Sequence, residues 1–374
     1  MRKVIVLLII VCLFSCSDKK NEEIYGNWYF DKELSSKKFE DSPNRFTSDL
    51  NFEIINDSIV SFKSGFYHSI SFNLEYDNYR TNYYLGNKTK YRFVNSKIIF
   101  ENLTDNESDT IIISKYNNNE LYIEKDKRKY LLKKKPKIKY DTNFYDAIIV
   151  NKGPCFGSCP INSTYVNKNG KFIFNGVMHN SENYYFHSQL KKEYVTEIFN
   201  SFQNINVMNL NDNYMRMVTC SRSTSITFIK NNKIVKTISD YADSAPIDML
   251  SAIENLSFFY QKSKLNYYED TFIENMLVIG VLKNKKNTYR MIDSEMSFLQ
   301  NSINNGKKTN ETLKKVFELS FYEYPNRFKK VFIKNIFTDG RYYQINYKDN
   351  TSITVDIGYN FIENNPIIKQ KRIE

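Results

Sequence analysis

The stretch from Gly153 to Pro160, Gly-Pro-Cys-Phe-Gly-Ser-Cys-Pro, carries the pair of side chains with the clearest chemical potential, Cys155 and Cys159. The chain has 5 Cys in 374 residues, so two of them within one short segment are informative. Gly157 allows a tight backbone turn, which brings the two Cα atoms toward the separation of about 4.4–6.8 Å that a disulfide needs. Three chemistries are open to such a pair: a structural disulfide, a thiol-redox centre, or part of a metal site.

The redox and metal alternatives each require further groups. A redox pair typically has Cys-x-x-Cys spacing at a helix N-terminus, whereas here the spacing is one residue longer and Pro160 precedes a predicted strand. A metal site would use Cys155 and Cys159 with His179, His187 or Cys220 completing four ligands. Cys220 is otherwise expected to be a free, buried thiol. The disulfide is the leading interpretation once the cellular compartment is considered.

The N-terminus indicates that compartment. Arg2 and Lys3 precede an apolar run from Val4 to Phe14, which ends at Ser15-Cys16. This run is too short to span a bilayer, but it resembles the signal of bacterial lipoproteins. The resemblance implies removal of residues 1–15, lipid on the Cys16 sulfur, and a polar tether over residues 16–23. We therefore expect a lipid-anchored cell-envelope protein, in the outer membrane of a Gram-negative bacterium and facing either the periplasm or the exterior. Because the envelope is oxidising, a Cys155–Cys159 disulfide is favoured.

Composition limits the function classes. Hydrophobic residues make up 41% and aromatic residues 16% of the chain, which excludes a disordered protein. The 53 Lys and Arg against 42 Asp and Glu give a net charge of +11, or +9 once Arg2 and Lys3 are removed. We find no zinc-finger or RNA-recognition pattern, so no nucleic-acid partner is expected. The basic run 125–139 is interpreted as a solvated hairpin edge and domain joint, with contact to anionic lipid as the alternative.

Residues 24–135 are predicted to form an all-β domain. Short apolar or alternating segments such as Asn51 to Ile55 and Ile98 to Glu101 are separated by Asn-rich turns, a pattern typical of a small barrel or sandwich. Gly26-Asn27-Trp28 resembles the Gly-x-Trp opening of lipocalin-like barrels. That resemblance implies a barrel closed at one end by Trp28, with a possible ligand cavity next to it.

Residues 141–263 are predicted to form an α+β domain. One helix is expected to follow a cap at Ser188, and a second is expected to follow a cap at Asp243 or Ser244. The Cys-x-Gly-x-Cys-Pro element and the strands after it resemble an uncharacterised domain family of bacterial lipoproteins, over about residues 143–262. Residues 264–374 are predicted to be a small C-terminal α+β extension with a helix over Glu311 to Leu319.

No enzymatic motif accompanies these features. The chain has no G-x-S-x-G, phosphate loop, H-E-x-x-H or G-x-G-x-x-G, and its only His residues are His68, His179 and His187. We therefore expect no catalytic residue, no cofactor and no bound metal. The leading hypothesis is a non-enzymatic binding module held on the membrane by Cys16, with other envelope proteins or glycans as partners. One alternative is a carrier of small apolar ligands in the barrel, and another is a thiol-redox or metal-dependent enzyme at Cys155 and Cys159.

Overall fold

A computed structural model describes residues 22–35, 48–74, 77–268, 271–273, 276–285, 288–314, 316–323, 332–365 and 368–369. The predicted signal segment, the predicted lipidation residue Cys16 and most of the predicted tether lie outside these residues. The chain divides into two compact units, one of residues 1–68 and 84–138 and the other of residues 69–83 and 139–374. None of the helices in the described part of the chain has both the length and the apolar character needed to cross a membrane.

The first unit contains a closed barrel in which eight antiparallel strands follow one another in sequence order. Strand β8 pairs with β1 and closes the sheet, so the basic hairpin of β7 and β8 is not a free edge. The prediction of an all-β domain is confirmed, and of the two architectures expected, barrel or sandwich, the structure has the barrel. The strands are β1 Gly26–Glu33, β2 Phe52–Ile54, β3 Ile59–Leu74, β4 Asp77–Val94, β5 Lys97–Asn102, β6 Glu107–Tyr116, β7 Glu120–Lys125 and β8 Arg128–Lys135.

Side chains of the barrel itself form its core. Alternate residues along each strand point inward, and 17 of the described buried residues form one contiguous cluster that includes Trp28, Phe52 and Phe62. Trp28 is fully buried, and its indole N–H donates to the Ile24 carbonyl at 2.7 Å. Phe62 packs against Phe100 with ring centroids 4.5 Å apart. Trp28 is therefore a core residue with a satisfied polar atom.

The second unit contains a central eight-stranded sheet in the order β13-β15-β14-β9-β10-β11-β12-β16. Neighbouring strands are antiparallel except β13 and β15, which run parallel. The predicted α+β character is confirmed. The strands are β9 Ala147–Lys152, β10 Ile161–Asn167, β11 Lys171–Met178, β12 Tyr184–Gln189, β13 Asn213–Met215, β14 Ser223–Lys230, β15 Lys233–Tyr241 and β16 Asn266–Tyr267.

Two helices of this domain begin later than predicted. Helix α1 (Lys192–Gln203) begins after Lys191, because Ser188 is still in strand β12, paired with Phe172. Helix α2 (Ile247–Ser257) begins after Pro246, because Ser244 and Ala245 donate their backbone N–H groups to Asp240. The predicted cap residues are thus held elsewhere, Ser188 by strand pairing with Phe172 and Ser244 by a local hydrogen bond to Asp240.

A second eight-stranded sheet follows, in the order β19-β23-β22-β21-β20-β17-β18-β24. The predicted helix over Glu311 to Leu319 is wrong, since Phe317 to Leu319 are in strand β20, paired with β21. The elements are β17 Met276–Lys283, β18 Thr288–Arg290, helix α3 Asp293–Asn304, β19 Lys307–Thr309, β20 Phe317–Glu323, β21 Ile333–Thr338, β22 Tyr342–Tyr347, β23 Ser352–Asp356, helix α4 Phe361–Asn364 and β24 Ile368–Lys369.

Helix α3 has no counterpart in the sequence prediction. Ten of its twelve residues are buried, polar ones included, so it has no apolar stripe facing away from a polar one. It packs on the central sheet, where Ser294 bonds with Thr227 at 2.8 Å and Ser297 accepts from Asn151 at 3.1 Å. One core cluster accordingly joins Ile149 and other residues of the central sheet to residues of 273–361. A boundary at residue 264 stays a prediction.

Candidate functional site

Four connections meet at one end of the central sheet. Strands β9, β11, β13 and β15 finish there, and β10, β12 and β14 begin there, as their pairing registers require. We call this group of connections the loop end; it consists of residues 153–160, 179–183, 216–222 and 242–246. It contains the predicted cysteine motif, and loops carried by a rigid sheet are a common location for binding residues.

A disulfide between Cys155 and Cys159 closes the first of these loops, with Cα atoms 5.7 Å apart. Gly157 has φ +140, a left-handed conformation that favours glycine, and its N–H donates to the Cys155 carbonyl at 3.0 Å. At the base of the loop, the Gly153 N–H donates to the Ser223 carbonyl at 2.8 Å. The loop is thus fixed both by its own covalent closure and by the first residue of β14.

A buried ion network lies beneath the loops. Lys152 ends β9 and is 1% exposed, and its Nζ donates to both carboxylate oxygens of Glu254 at 2.9 and 2.8 Å. Burial lowers the pKa of Lys152, and the Glu254 carboxylate opposes that shift. The Lys152 ammonium also lies 4.6 Å from the centre of the Phe258 ring, a cation–π contact. Glu254 on helix α2 therefore neutralises the buried ammonium of Lys152 at the end of strand β9.

Arg222 extends this network to the surface. Its guanidinium Nη2 lies 2.8 Å from the Glu254 carboxylate and 2.9 Å from the Asp243 carboxylate. Its Nε–H also donates to the Asp243 carboxylate, at 3.0 Å. The side chain of Arg222 remains 25% exposed. The network therefore ties loop 216–222 to loop 242–246 and holds a guanidinium at the loop end.

Asp240 organises the last of the four loops. Its Oδ1 accepts the N–H groups of Ser244 at 2.8 Å and Ala245 at 2.6 Å. These bonds stabilise the left-handed backbone of Ala242 and Asp243. Burial raises the pKa of the Asp240 carboxyl, and the two backbone hydrogen bonds act in the opposite direction. Asp240 therefore orders the loop in which Asp243 pairs with Arg222.

The loop end exposes several large apolar side chains, next to the exposed carboxylates of Glu182 and Asp243. Phe156 is 87% exposed and Met217 is 98% exposed, and Met215 and Val218 next to Met217 are also exposed. None of the four loops contains lysine, although the chain has 42. By contrast, Lys168, Lys191, Lys230 and Lys233 lie at the opposite end of the same sheet. Lysine is therefore absent where the apolar side chains are exposed, and Arg216 and Arg222 supply the positive charge of the four loops.

The other predicted site residues do not join the cysteines. His187 lies within β12 and packs edge-on against Tyr268, with β10 and β11 between its strand and β9. His179 is in the turn after β11. Among the described residues no group of three or more His, Cys, Asp or Glu side chains is arranged to hold a metal. Sulfur atoms bonded to each other are not thiolate ligands, so Cys155 and Cys159 do not form a metal site in this state.

Cys220 is a free cysteine and is exposed, so the prediction of a buried thiol is wrong. It lies in loop 216–222, before strand β14 begins at Ser223. Sequence reasoning also missed Lys152, Glu254 and Arg222 as a group. The signal that could have identified Lys152 is its position at the end of Ala-Ile-Ile-Val-Asn-Lys, a strand buried over its whole length.

Comparison with known proteins gives a family for one segment. No curated protein matches the chain. Among solved structures, the crystal structure of the Vanderwaltozyma polyspora Nup133 beta-propeller domain aligns at 12% identity over 72% of this chain and 79% of that one. Its TM-score of 0.13 carries no argument about fold or function. Residues 146–260, which include the disulfide loop and the ion network, match a family model described as a domain of unknown function (DUF6438) and form a domain of that family.

Proposed function

We propose that this chain is a lipid-anchored protein of the bacterial cell envelope, and that the loop end of its DUF6438 domain binds a partner protein of the envelope. The single observation that carries the binding proposal is the composition of the exposed loop end. Protein interfaces are enriched in aromatic residues, Met and Arg, and depleted in Lys, Glu and Asp. Phe156, Met217, Arg216 and Arg222, together with Met215 at the end of strand β13, match that enrichment in a chain that is otherwise rich in Lys. The exposed acidic residues of the loop end are Glu182 and Asp243.

Rigidity of the loop end supports the same proposal. The disulfide, the Gly153–Ser223 hydrogen bond and the Arg222–Asp243 ion pair each remove freedom from a loop before any partner arrives. Ordering a loop on binding costs free energy, so loops that are already fixed bind more tightly for the same contacts. The arrangement therefore suits a preformed docking surface with Phe156 and Met217 as its apolar anchors.

The envelope location rests on the N-terminal sequence and on the disulfide. Residues 1–16 resemble a lipoprotein signal, and a disulfide persists in an oxidising compartment. Replacement of Cys16 by Ser is expected to move the protein from the membrane fraction to the soluble fraction. Continued membrane association of the Cys16→Ser variant would contradict the lipid anchor.

The two alternatives have less support. A carrier would need room in the barrel, whereas Trp28 and 16 other buried residues pack there as one cluster. A thiol-redox centre would need a group that lowers a thiol pKa, and Pro160 leads into strand β10 rather than a helix. We therefore favour the non-enzymatic binding module.

Site-specific photocrosslinking in the native host tests the docking surface. A photoreactive residue at position 156 or 217 is expected to give one discrete adduct with an envelope protein. The control is position 208, because Met208 is an exposed apolar residue, 50% exposed, that lies after helix α1 and outside the loop end. The identified partner should bind the purified chain directly, and the variants Phe156→Ser and Met217→Ser should weaken that binding. Equal adducts from positions 156, 217 and 208 would refute the assignment.

A further inference from the structure

A cavity of about 220 Å³ lies at the end of the central sheet opposite the loop end. Strands β10 and β11 form one wall, helix α3 forms another, and the segment between β23 and α4 closes the side. The cavity therefore lies within the second unit and is built from segments far apart in sequence. Its lining residues are Tyr165, Lys171, Ile173, Asn232, Phe298, Asn301, Ser302, Asn305, Ile357 and Tyr359.

The residues that line the cavity include a cation but no carboxylate. Lys171 contributes a cation, and no Asp or Glu is among the lining residues. Three Asn amides and three hydroxyl groups supply hydrogen-bond donors and acceptors, while Ile173, Phe298 and Ile357 supply apolar surface. A cavity lined in this way favours a ligand that is negatively charged at one point, hydroxylated elsewhere and apolar on one face.

Lys171 lacks the counter-charge that a lysine in its position ordinarily has. It is only partly exposed, and its Nζ donates to the Asn305 side-chain oxygen, a neutral acceptor. Within the described residues, no carboxylate lies within ion-pair distance of Lys171. Burial lowers the pKa of its ammonium, and no acidic side chain reverses that effect. A ligand carboxylate bonded to Nζ would restore the missing charge, and charge-assisted bonds are stronger than bonds to neutral acceptors.

The hydroxyl-bearing residues are held in place before any ligand arrives. Ser302 and Tyr359 share a hydrogen bond at 2.9 Å, which links helix α3 to the segment before α4. Asn301 accepts a hydrogen bond from Tyr185, so its amide oxygen is held by the central sheet. Phe298 is buried and packs against Phe361 with centroids 5.6 Å apart. The polar groups thus have fixed directions, as an oriented binding site requires.

We propose that this cavity binds a sugar acid, with the ligand carboxylate on Lys171 and the ring hydroxyls on Ser302, Tyr359 and the lining amides. The volume is suited to one pyranose ring. The lining groups complement its hydroxyls, and the apolar side chains complement its C–H face. This site is independent of the docking surface at the loop end, so either can fail without the other.

Saturation-transfer-difference NMR of the purified chain tests the site with three probes: glucuronate, glucose and acetate. Glucuronate is expected to bind with a dissociation constant in the micromolar to millimolar range that suits a ligand of this size. Glucose lacks the carboxylate and acetate lacks the ring, so each is expected to bind at least about tenfold more weakly. Absence of glucuronate binding, or equal binding of glucose or acetate, would overturn the proposal.

Two variants and one control assign the binding to the cavity. Lys171→Met keeps the aliphatic stem and is expected to weaken glucuronate binding by at least about tenfold, while Lys171→Arg keeps the charge and retains binding. Lys233→Met removes an exposed lysine at the same end of the sheet, outside the cavity lining, and is expected to change nothing. Unchanged glucuronate binding by Lys171→Met would overturn the proposal. If Lys171→Met unfolds, Tyr359→Phe with Ser302→Ala decides instead: weaker glucuronate binding supports the site, and unchanged binding overturns it.

Binding of the methyl glycoside of glucuronate distinguishes a sugar acid at the end of a glycan from a free sugar acid. Binding of the glycoside as tight as that of glucuronate supports a sugar acid at the end of a glycan. Loss of glycoside binding with retention of glucuronate binding supports a free sugar acid.

Discussion

Lys152 and Glu254 are 102 residues apart in sequence, and the Lys152 ammonium donates to both oxygens of the Glu254 carboxylate in the interior of the central domain. The pair joins strand β9 to helix α2, and Arg222 joins it to the loop end. A buried pair of this kind is weak evidence for stability as such, because both charges lose their hydration. The Lys152–Glu254 pair instead fixes a position: Arg222 bonds to Glu254, so loop 216–222 is held above the pair.

Glu254→Gln is expected to destabilise the central domain by about 3–5 kcal/mol, because Lys152 would keep its charge in the core without a counter-charge. The double variant Lys152→Met with Glu254→Gln is expected to recover most of that loss. Urea unfolding followed by near-ultraviolet circular dichroism measures both. Glu197→Gln is the control, since Glu197 is exposed on helix α1 and its change is expected to stay within about 0.5 kcal/mol. A loss for Glu254→Gln as small as that of the control would contradict the prediction.

The pH dependence of stability follows from the same lysine. Burial lowers the pKa of folded Lys152 below its ordinary value of 10.5. In the alkaline range between the two values the unfolded chain binds more protons than the folded chain, so the free energy of unfolding rises with pH. Comparison with the Lys152→Met, Glu254→Gln double variant removes the contribution of the buried tyrosines, which titrate in both proteins. The wild type is expected to gain stability relative to the double variant as pH rises toward 10.5. A difference that stays constant with pH would disprove the assignment.

Removal of the disulfide is expected to cost little stability. In the chain-entropy model, closing a five-residue loop is worth about 2 kcal/mol, so the Cys155→Ser, Cys159→Ser variant should lose about that much. Reduction of the wild-type protein with dithiothreitol should give the same loss, as measured by urea unfolding. The loss of binding free energy for a partner that contacts Phe156 should exceed the loss of unfolding free energy, because the loop is no longer held in its bound conformation. A variant that unfolds completely would show that the disulfide has a larger structural role.

Cys220 is expected to react with a maleimide in the folded protein, because it is exposed and free. Cys155 and Cys159 should not react until the protein is reduced. Mass spectrometry of peptides from the labelled protein distinguishes the three positions, and Cys220→Ser should lose the label in the native state. Protection of Cys220 in purified protein but not in the presence of a denaturant would contradict its exposure.

Trp28→Ala is expected to destabilise the barrel by about 3–5 kcal/mol, because it removes a fully buried aromatic side chain and leaves the Ile24 carbonyl without its donor. Far-ultraviolet circular dichroism during thermal unfolding measures the loss. Val94→Ala, at an exposed barrel position, is the control. A loss below about 1 kcal/mol for Trp28→Ala would indicate that Trp28 borders a space filled by water or ligand, in favour of the carrier alternative.

Local patterns in the sequence predicted much of the secondary structure. Alternating apolar residues identified the barrel strands, and turn residues such as Asn231-Asn232, which adopt left-handed conformations, separated the strands of the central sheet. Strand and turn preferences depend on a few neighbouring residues, so they can be read without knowledge of the rest of the chain. The Cys155–Cys159 disulfide was favoured over a redox or metal site only because the N-terminal signal resemblance implies an oxidising compartment.

Tertiary structure alone decided which polar residues are buried and which distant residues meet. Lysine is ordinarily a surface residue, and Lys152 is buried because helix α2 places Glu254 next to it. Helix α3 has no amphipathic stripe because two sheets cover it. The cavity that we propose for a sugar acid likewise brings Tyr165 of β10 and Lys171 of β11 together with Tyr359. Strand and turn preferences are properties of adjacent residues, whereas burial and charge pairing depend on the surfaces that remote segments supply. The sequence by itself therefore determined the barrel strands and the turns of the central sheet, and favoured the disulfide. Only the packing of those elements determined helix α3, the ion network, the Lys-free loop end and the cavity.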